Sequence, residues 1–93
     1  MAHALVTQVS LEGRRPEDAE RMLTDRLIPA VKQLSGFQRG VWLRSEDGST
    51  GLGIVVFDSE QDAQSARDSM DTMRPADAPP ITSVATYLVT GLA

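Results

Sequence analysis

The sequence contains no cysteine, only one histidine and only one lysine. Without cysteine, the chain cannot form disulfides, iron–sulfur clusters or thiolate zinc sites. A single histidine also excludes a multi-histidine metal site within one chain. Aromatic residues make up 4% of the sequence, so few side chains are available for stacking on a ligand. We therefore expect no metal site.

Long hydrophobic runs are absent as well. The longest unbroken apolar run covers residues 54–57, whereas a membrane-spanning helix needs about 20 such residues. The first residues, Met-Ala-His-Ala-Leu-Val-Thr-Gln, lack the basic region and the apolar stretch of a signal peptide. These features predict a cytoplasmic protein with no membrane partner.

The charge balance is acidic, with 9 Lys+Arg against 13 Asp+Glu and a formal net charge of −4. Nucleic-acid binders gain affinity by neutralising phosphates with basic residues, so this balance argues against a nucleic-acid partner. Hydrophobic residues make up 41% and charged residues 24% of the 93 residues, which is typical of a globular protein. A chain of this length predicts a single domain spanning residues 1–93.

Four segments have the patterns of β-strands, being rich in β-branched residues or alternating in polarity. Asp47-Gly48 is a strong turn signal between the second and third of them, which predicts an antiparallel hairpin. The predicted strands are residues 3–12, 38–46, 51–57 and 81–90.

Two amphipathic helices are predicted between these strands. The first begins at Pro16 and carries apolar residues at spacings of three and four up to Leu34, before Gly36. Pro29 lies inside it and removes one hydrogen bond, so we expect a kink or a short second segment there. The second helix begins after Ser59 as N-cap and extends to Met73. The proline-rich residues 74–80 are predicted to form a loop.

The order βαββαβ predicts a ferredoxin-like α+β fold. Two right-handed split crossovers give a four-stranded antiparallel sheet in the order 4-1-3-2, with both helices on one face. The third strand is apolar on both faces, because Leu52, Ile54 and Val56 alternate with Val55 and Phe57. No part of the chain remains to cover the second face. We therefore expect a homodimer that packs through this face.

Several short motifs resemble a known family. They are Leu-Ile-Pro at 27–29, Leu-Ser-Gly-Phe at 34–37, Gly-Val-Trp at 40–42, and Ser-Glu at 59–60 followed by alanine at 63. Together they resemble the antibiotic biosynthesis monooxygenase group, whose members are dimeric α+β barrels of about this length. The resemblance implies a cofactor-independent monooxygenase that acts on a hydrophobic aromatic small molecule. Haem-degrading relatives use a histidine on the second helix, and residues 59–73 contain none.

No catalytic residue can be assigned from the sequence, but five residues are candidates for binding a substrate. Each has a structural alternative: packing in the core or dimer interface for the apolar and aromatic ones, and a solvated or paired position for the arginine. The methionines of the helices and the paired glycines of the third strand are further candidates for a cavity between helices and sheet. The five candidates are Trp42, Arg44, Phe57, Met70 and Tyr87.

Two other functions remain open at this stage. A non-catalytic homodimer that binds a small ligand explains the lack of a nucleophile–base pair equally well. An RNA-binding domain of the same topology needs exposed aromatic residues on its third strand, and residues 51–57 offer only Phe57. The sequence therefore favours an oxygenase or a small-ligand binder over an RNA-binding module.

Overall fold

The computed structural model describes all residues from 1 to 93 and contains one four-stranded antiparallel sheet. Its strands are β1 (His3–Ser10), β2 (Phe37–Arg44), β3 (Thr50–Phe57) and β4 (Ile81–Leu88). They lie in the order β2-β3-β1-β4, which confirms the predicted strand order. The observed strands differ from the predicted ones by one or two residues at their ends.

The helical elements are α1 (Pro16–Met22), α2 (Ile28–Lys32), α3 (Glu60–Asp68) and α4 (Met70–Met73). They pack on one face of the sheet, as predicted for the ferredoxin-like fold, and we call this the inner face. None of these helices is long and apolar enough to span a membrane.

Register decides which strand residues share the inner face. Thr7 pairs with Gly53 and Val84, and Trp42 also pairs with Gly53, so these four residues face the helices together. Residues of the other parity form the opposite, helix-free side, which we call the outer face. The apolar members of the outer face are Ala4, Val6, Val41, Leu43, Leu52, Ile54, Val56, Ala85 and Tyr87.

The hydrophobic core lies towards one end of the inner face. Phe57, at the end of β3, is completely buried, and Ala63 and Ala66 of α3 are equally inaccessible. The small alanine side chains allow α3 to approach the sheet closely over Phe57, while Val31 of α2 belongs to the same buried cluster. This packing leaves the opposite end of the inner face less tightly filled.

A π-helical segment, Leu23–Leu27, joins α1 to α2. Pro29 has no N–H with which to bond the carbonyl of Asp25, so the regular α-helical pattern cannot continue through this turn. The chain instead widens by one residue, and the N–H of Ile28 donates to the carbonyl of Leu23. The expected interruption near Pro29 is confirmed, and it takes the form of a π segment.

The N-terminus of α3 is capped as predicted, but its C-terminal end differs from the prediction. Ser59 Oγ accepts a hydrogen bond from the N–H of Asp62 at 3.1 Å and donates to the Asp62 carboxylate at 3.0 Å. The single helix predicted up to Met73 is divided at Ser69. The Ser69 hydroxyl donates to the carbonyl of Ser65 at 2.9 Å, and such a local bond competes with regular helical bonding.

Two turns are held by side-chain hydrogen bonds. In the β2–β3 hairpin, the Asp47 carboxylate accepts bonds from Ser49 N and Oγ and from Ser45 Oγ, which lowers the pKa of Asp47 to about 2. In the loop formed by residues 74–80, Arg14 donates to the carbonyl of Asp77 at 2.7 Å. The carboxylate of Asp77 also lies 3.7 Å from Arg26. The loop is therefore held by Arg14, which precedes α1, and by Arg26 of the π segment.

We predict that Gly36→Ala destabilises the fold more than Gly13→Ala. Both glycines have positive φ, 76° and 74°, so an added side chain meets a similar backbone strain of about 1–2 kcal/mol at each. At Gly36 the added Cβ would also collide with the Asp62 side chain, because it would lie only 2.9 Å from the Cβ of Asp62. A Cβ added at Gly13 would have no atom within 4 Å.

Urea denaturation of both variants measures the difference. We expect Gly36→Ala to cost at least about 1 kcal/mol more than Gly13→Ala, because the Asp62 carboxylate must leave its bond with Ser59. Equal losses of unfolding free energy would show that the contact between Gly36 and Asp62 does not constrain the fold.

Candidate functional site

A cavity of about 260 Å³ lies between the inner face and the helices, at the end of the sheet away from Phe57. Sixteen of its 24 lining residues are hydrophobic. Its volume exceeds the roughly 150 Å³ of a cavity that holds one benzene ring. It is slightly smaller than the sites of about 300–1,000 Å³ that bind drug-sized ligands. The space therefore suits a small aromatic molecule of about two rings.

The floor of the cavity is built on the glycines of β3. A Cβ at Gly51 would lie 2.9 Å from Cγ2 of Val9, and a Cβ at Gly53 would lie 3.0 Å from both Thr7 Oγ1 and Trp42 Nε1. Their missing side chains allow the neighbouring residues to settle against the backbone. The alternation of glycine with larger residues in β3 thus creates room on the inner face alone.

The indole ring of Trp42 lies across two strands. One end contacts the backbone of Gly53, and the other covers Gly40 of the same strand, where a Cβ would lie 2.7 Å from Cη2 of the ring. Trp42 is partly buried and packs against the core. A flat aromatic surface is thereby presented along one side of the cavity.

Helical residues form the opposite wall. The methionines predicted to create an adaptable cavity, Met22, Met70 and Met73, all line it. The π segment contributes Leu23 and Leu27. Unbranched thioether side chains adapt to irregular ligand shapes more easily than branched ones, so this wall can follow the outline of a planar molecule.

Two polar groups face this apolar space without a partner. The indole N–H of Trp42 and the hydroxyl of Thr7 make no side-chain hydrogen bond within the chain, although both flank Gly53. No buried polar side-chain atom lacks a partner, so these two unpartnered groups are not fully buried, and both residues line the cavity. They can therefore donate hydrogen bonds to an oxygen atom of a ligand.

The only carboxylate in the cavity wall is already engaged. Glu20 Oε1 accepts from Arg44 Nη1 at 3.4 Å, and both side chains are substantially exposed. A pair of this kind contributes little to stability. The pair nevertheless places a positive charge beside Glu20, the one carboxylate of the cavity wall that could accept a proton from a ligand.

The structure brings three of the five predicted substrate-binding residues together. Trp42, Arg44 and Met70 line the cavity. Phe57 lies beneath α3 and is inaccessible, which places it in the core. Tyr87 lies on the outer face with 56% of its surface exposed, on the other side of the sheet from the cavity.

Sequence inspection missed Thr7, Glu20 and Arg74 as cavity residues. Thr7 alternates with its neighbours along β1 so that it shares a face with Leu5 and Val9. This apolar pattern could have indicated its position on the inner face. Glu20 resembles any acidic residue in the first turns of a helix. Arg74 begins a loop whose path no local pattern specifies.

A second concavity, of about 640 Å³, lies on the outside of α1. Only two of its 11 lining residues are hydrophobic, and arginines and aspartates make up most of the others. The side chains there form a mixed-charge surface with no closed apolar wall. No group of His, Asp and Glu residues in the chain is arranged to hold a metal ion. The inner-face cavity is therefore the best candidate for a functional site.

We predict that Gly40→Ala and Gly53→Ala each displace the indole of Trp42, the only tryptophan of the chain. At Gly40 the added methyl group would lie 2.7 Å from Cη2 of the ring, which must move, and at Gly53 it would lie 3.0 Å from Nε1, which requires a smaller shift. Lifting the ring increases its contact with water. Fluorescence emission of Trp42 should shift to longer wavelength.

Gly51→Ala is the matched control, because its methyl group meets Val9 and Leu11 and not the indole. Its emission should remain that of the parent protein. The same shift in all three variants would argue that the sheet is distorted generally and that the glycines do not support the ring specifically.

Comparison with known proteins identifies the fold. No family model and no curated protein matches the sequence. Among solved structures, the chain is similar to SnoaB, a cofactor-independent oxygenase from Streptomyces nogalater, in its mutant N63A form. The TM-score is 0.68 at 12% identity, covering 98% of this chain and 95% of that one.

A second oxygenase is similar in structure as well. The monooxygenase from the gene ActVA-Orf6 of Streptomyces coelicolor, solved with the ligand nanaomycin D, matches with a TM-score of 0.64 at 15% identity, covering 99% of this chain and 90% of that one.

The same topology also occurs in an RNA-binding module. The second RRM domain of the yeast poly(U)-binding protein Pub1 matches with a TM-score of 0.52 at 22% identity, over 100% of this chain and 99% of that one. The higher TM-scores belong to the oxygenases. The resemblance suggested by the sequence motifs is thus confirmed at the level of architecture: this chain has the ferredoxin-like fold that these oxygenases share.

Proposed function

We propose that the protein is a cofactor-independent monooxygenase that acts on a small hydrophobic aromatic molecule. The observation that carries this proposal is the apolar inner-face cavity, in which Trp42 offers a flat ring surface and, together with Thr7, a free hydrogen-bond donor. The size of the cavity suits about two aromatic rings.

The proposed reaction makes a specific demand on the substrate. Without a cofactor, the electrons that reduce dioxygen come from the substrate itself, so the substrate is an electron-rich aromatic compound such as a phenol with an adjacent methylene group. The methylene carbon loses two hydrogens and gains one oxygen atom. The second oxygen atom leaves with those hydrogens as water.

The cavity residues supply binding and electrostatic stabilisation in this scheme. The indole N–H of Trp42 and the hydroxyl of Thr7 donate to the oxygen of a substrate that binds as the phenolate, its proton having been released to solvent before binding. The apolar walls exclude water, which strengthens these hydrogen bonds. The methionines hold the ring against Trp42.

A non-catalytic small-ligand-binding protein is the second candidate. The observation in its favour is the absence of a free base in the cavity wall, because Glu20 is paired with Arg44 and no histidine is present. His3, the only histidine, lies elsewhere and contacts Glu60 of α3 at 3.9 Å. Binding without consumption of dioxygen would select this alternative.

An oxygen electrode tests the oxygenase with a panel of hydroxylated two-ring aromatics. We expect Trp42→Phe and Thr7→Val each to lower the rate of dioxygen consumption by at least about tenfold, because each variant removes one donor to the phenolate oxygen. Thr7→Val keeps the shape of the side chain, and Trp42→Phe keeps an aromatic ring while removing the indole N–H.

Thr86→Val is the matched control for Thr7→Val. Thr86 faces the helices from β4 opposite Leu5, but it does not line the cavity. Its variant should retain the parent rate. If dioxygen consumption were unchanged in the Trp42 and Thr7 variants, these residues would have no part in the reaction.

We also propose that two copies associate through the outer face. Val41 is 46% exposed and Leu43 is 49% exposed on the outer face, in addition to Tyr87. Contiguous exposed apolar side chains on one sheet face are typical of an interaction surface. A two-fold axis is the usual way in which identical faces pack together.

Sedimentation equilibrium tests this association. The parent protein should have twice the 10.1 kDa mass of the chain, and Val41→Glu should shift it towards the monomer, because the interface would then bury an unpaired charge. Leu88→Glu is the control, since Leu88 is similarly exposed, at 49%, but pairs with His3 on the helix side of the sheet. A monomeric parent protein would overturn the proposal.

A further inference from the structure

The charge of the cavity wall differs in sign from that of the whole protein. The chain carries a net charge of −4, yet only one of the three charged residues in the cavity wall is acidic. These three residues are Glu20, Arg44 and Arg74. Because Glu20 and Arg44 neutralise one another at 3.4 Å, the remaining positive charge belongs to Arg74.

Arg74 has no carboxylate partner within ion-pairing distance. It begins the loop formed by residues 74–80, and its Nη2 donates to the carbonyl of Pro79. A guanidinium carries five N–H donors, and this bond is the only side-chain hydrogen bond that Arg74 makes. Most of its donors are therefore available to another group.

The surroundings of Arg74 make its charge costly. Partial burial lowers the pKa of Arg74, while the nearby Asp71 raises it and the nearby Arg14 lowers it further. The guanidinium nevertheless stays protonated, as arginine does in proteins. A half-buried cation with no carboxylate within ion-pairing distance is best complemented by an anion.

We propose that the ligand of this cavity is an aromatic acid, whose ring lies against Trp42 and the methionines and whose carboxylate is bound by Arg74. This rests on the proposed role of the inner-face cavity as the substrate site, and it adds the chemical class of the substrate. Arginine binds carboxylates through two parallel N–H groups, which also fixes the orientation of the ring.

A pair of probes that differ only in charge tests the proposal. The probes are 2-naphthoate and 2-naphthamide, which have the same two-ring skeleton, and isothermal titration calorimetry at pH 7 measures their affinities. We expect the protein to bind 2-naphthoate at least about tenfold more tightly, because only the carboxylate forms an ion pair with the guanidinium and accepts two parallel N–H groups.

Variants assign that preference to Arg74. Arg74→Gln should bind 2-naphthoate and 2-naphthamide about equally. Arg74→Lys should retain part of the preference for 2-naphthoate, because lysine keeps the charge but not the bidentate geometry. Glu20→Gln should strengthen binding of 2-naphthoate, because it removes the only negative charge of the cavity wall and leaves Arg44 unpaired.

Arg14→Gln separates this role from a structural one. Arg14 also donates to carbonyls of the 74–80 loop, those of Asp77 at 2.7 Å and Ala78 at 3.4 Å, but it does not line the cavity. Its variant should keep the preference for 2-naphthoate. An equal loss in the Arg14 and Arg74 variants would show that loop structure determines the preference, and it would overturn the proposal.

The outcomes also distinguish this inference from the proposed function. Equal binding of both probes to the parent protein overturns the aromatic-acid assignment and leaves the cavity as an aromatic site. Binding of neither probe overturns both. A preference for 2-naphthoate without dioxygen consumption by any hydroxylated aromatic supports Arg74 as the carboxylate-binding residue and identifies the protein as a ligand binder.

Discussion

The placement of β3 between β1 and β2 is the constraint on which the rest of the structure depends. Its side chains alternate strictly between two faces, so the size of each residue acts on one side of the sheet only. Towards Phe57 the inner face is filled and α3 packs closely on it. Towards Gly51 and Gly53 the strand carries no side chains of its own on this face, so Thr7, Val9 and Trp42 lie close to its backbone and line the cavity there. One strand therefore divides the protein into a structural end and a binding end.

The fold could be predicted from the sequence because its signals are local. Alternating polarity located the strands, Asp47-Gly48 located the hairpin, and Pro29 located the break in the first helical region. The division of the second helix at Ser69 could not be predicted, because a serine within a helix can either point to solvent or donate to the carbonyl four residues earlier, as Ser69 does to Ser65.

The candidate site could be predicted only in part. Trp42 and Met70 were recognised by residue type, and their position at the cavity follows from register and helix packing. The outer-face position of Tyr87 follows from its pairing with Ala4, which sequence alone does not give. Arg74 could not be identified, because its role depends on where a loop returns after leaving the helices. Oxygenases and an RNA-binding module share this architecture. The architecture therefore does not determine the chemistry, which depends on the residues of the cavity.

The loop formed by residues 74–80 has a further consequence for recognition. Pro75, Pro79 and Pro80 fix three of its backbone torsions, and Arg14 holds its middle carbonyls. A loop with so few accessible conformations loses little entropy when a ligand arrives, even though it forms part of the cavity wall. This part of the cavity wall is thus preorganised. At this loop, selectivity among ligands then reflects how well their outline matches an existing shape, whereas the methionine wall adapts to each ligand.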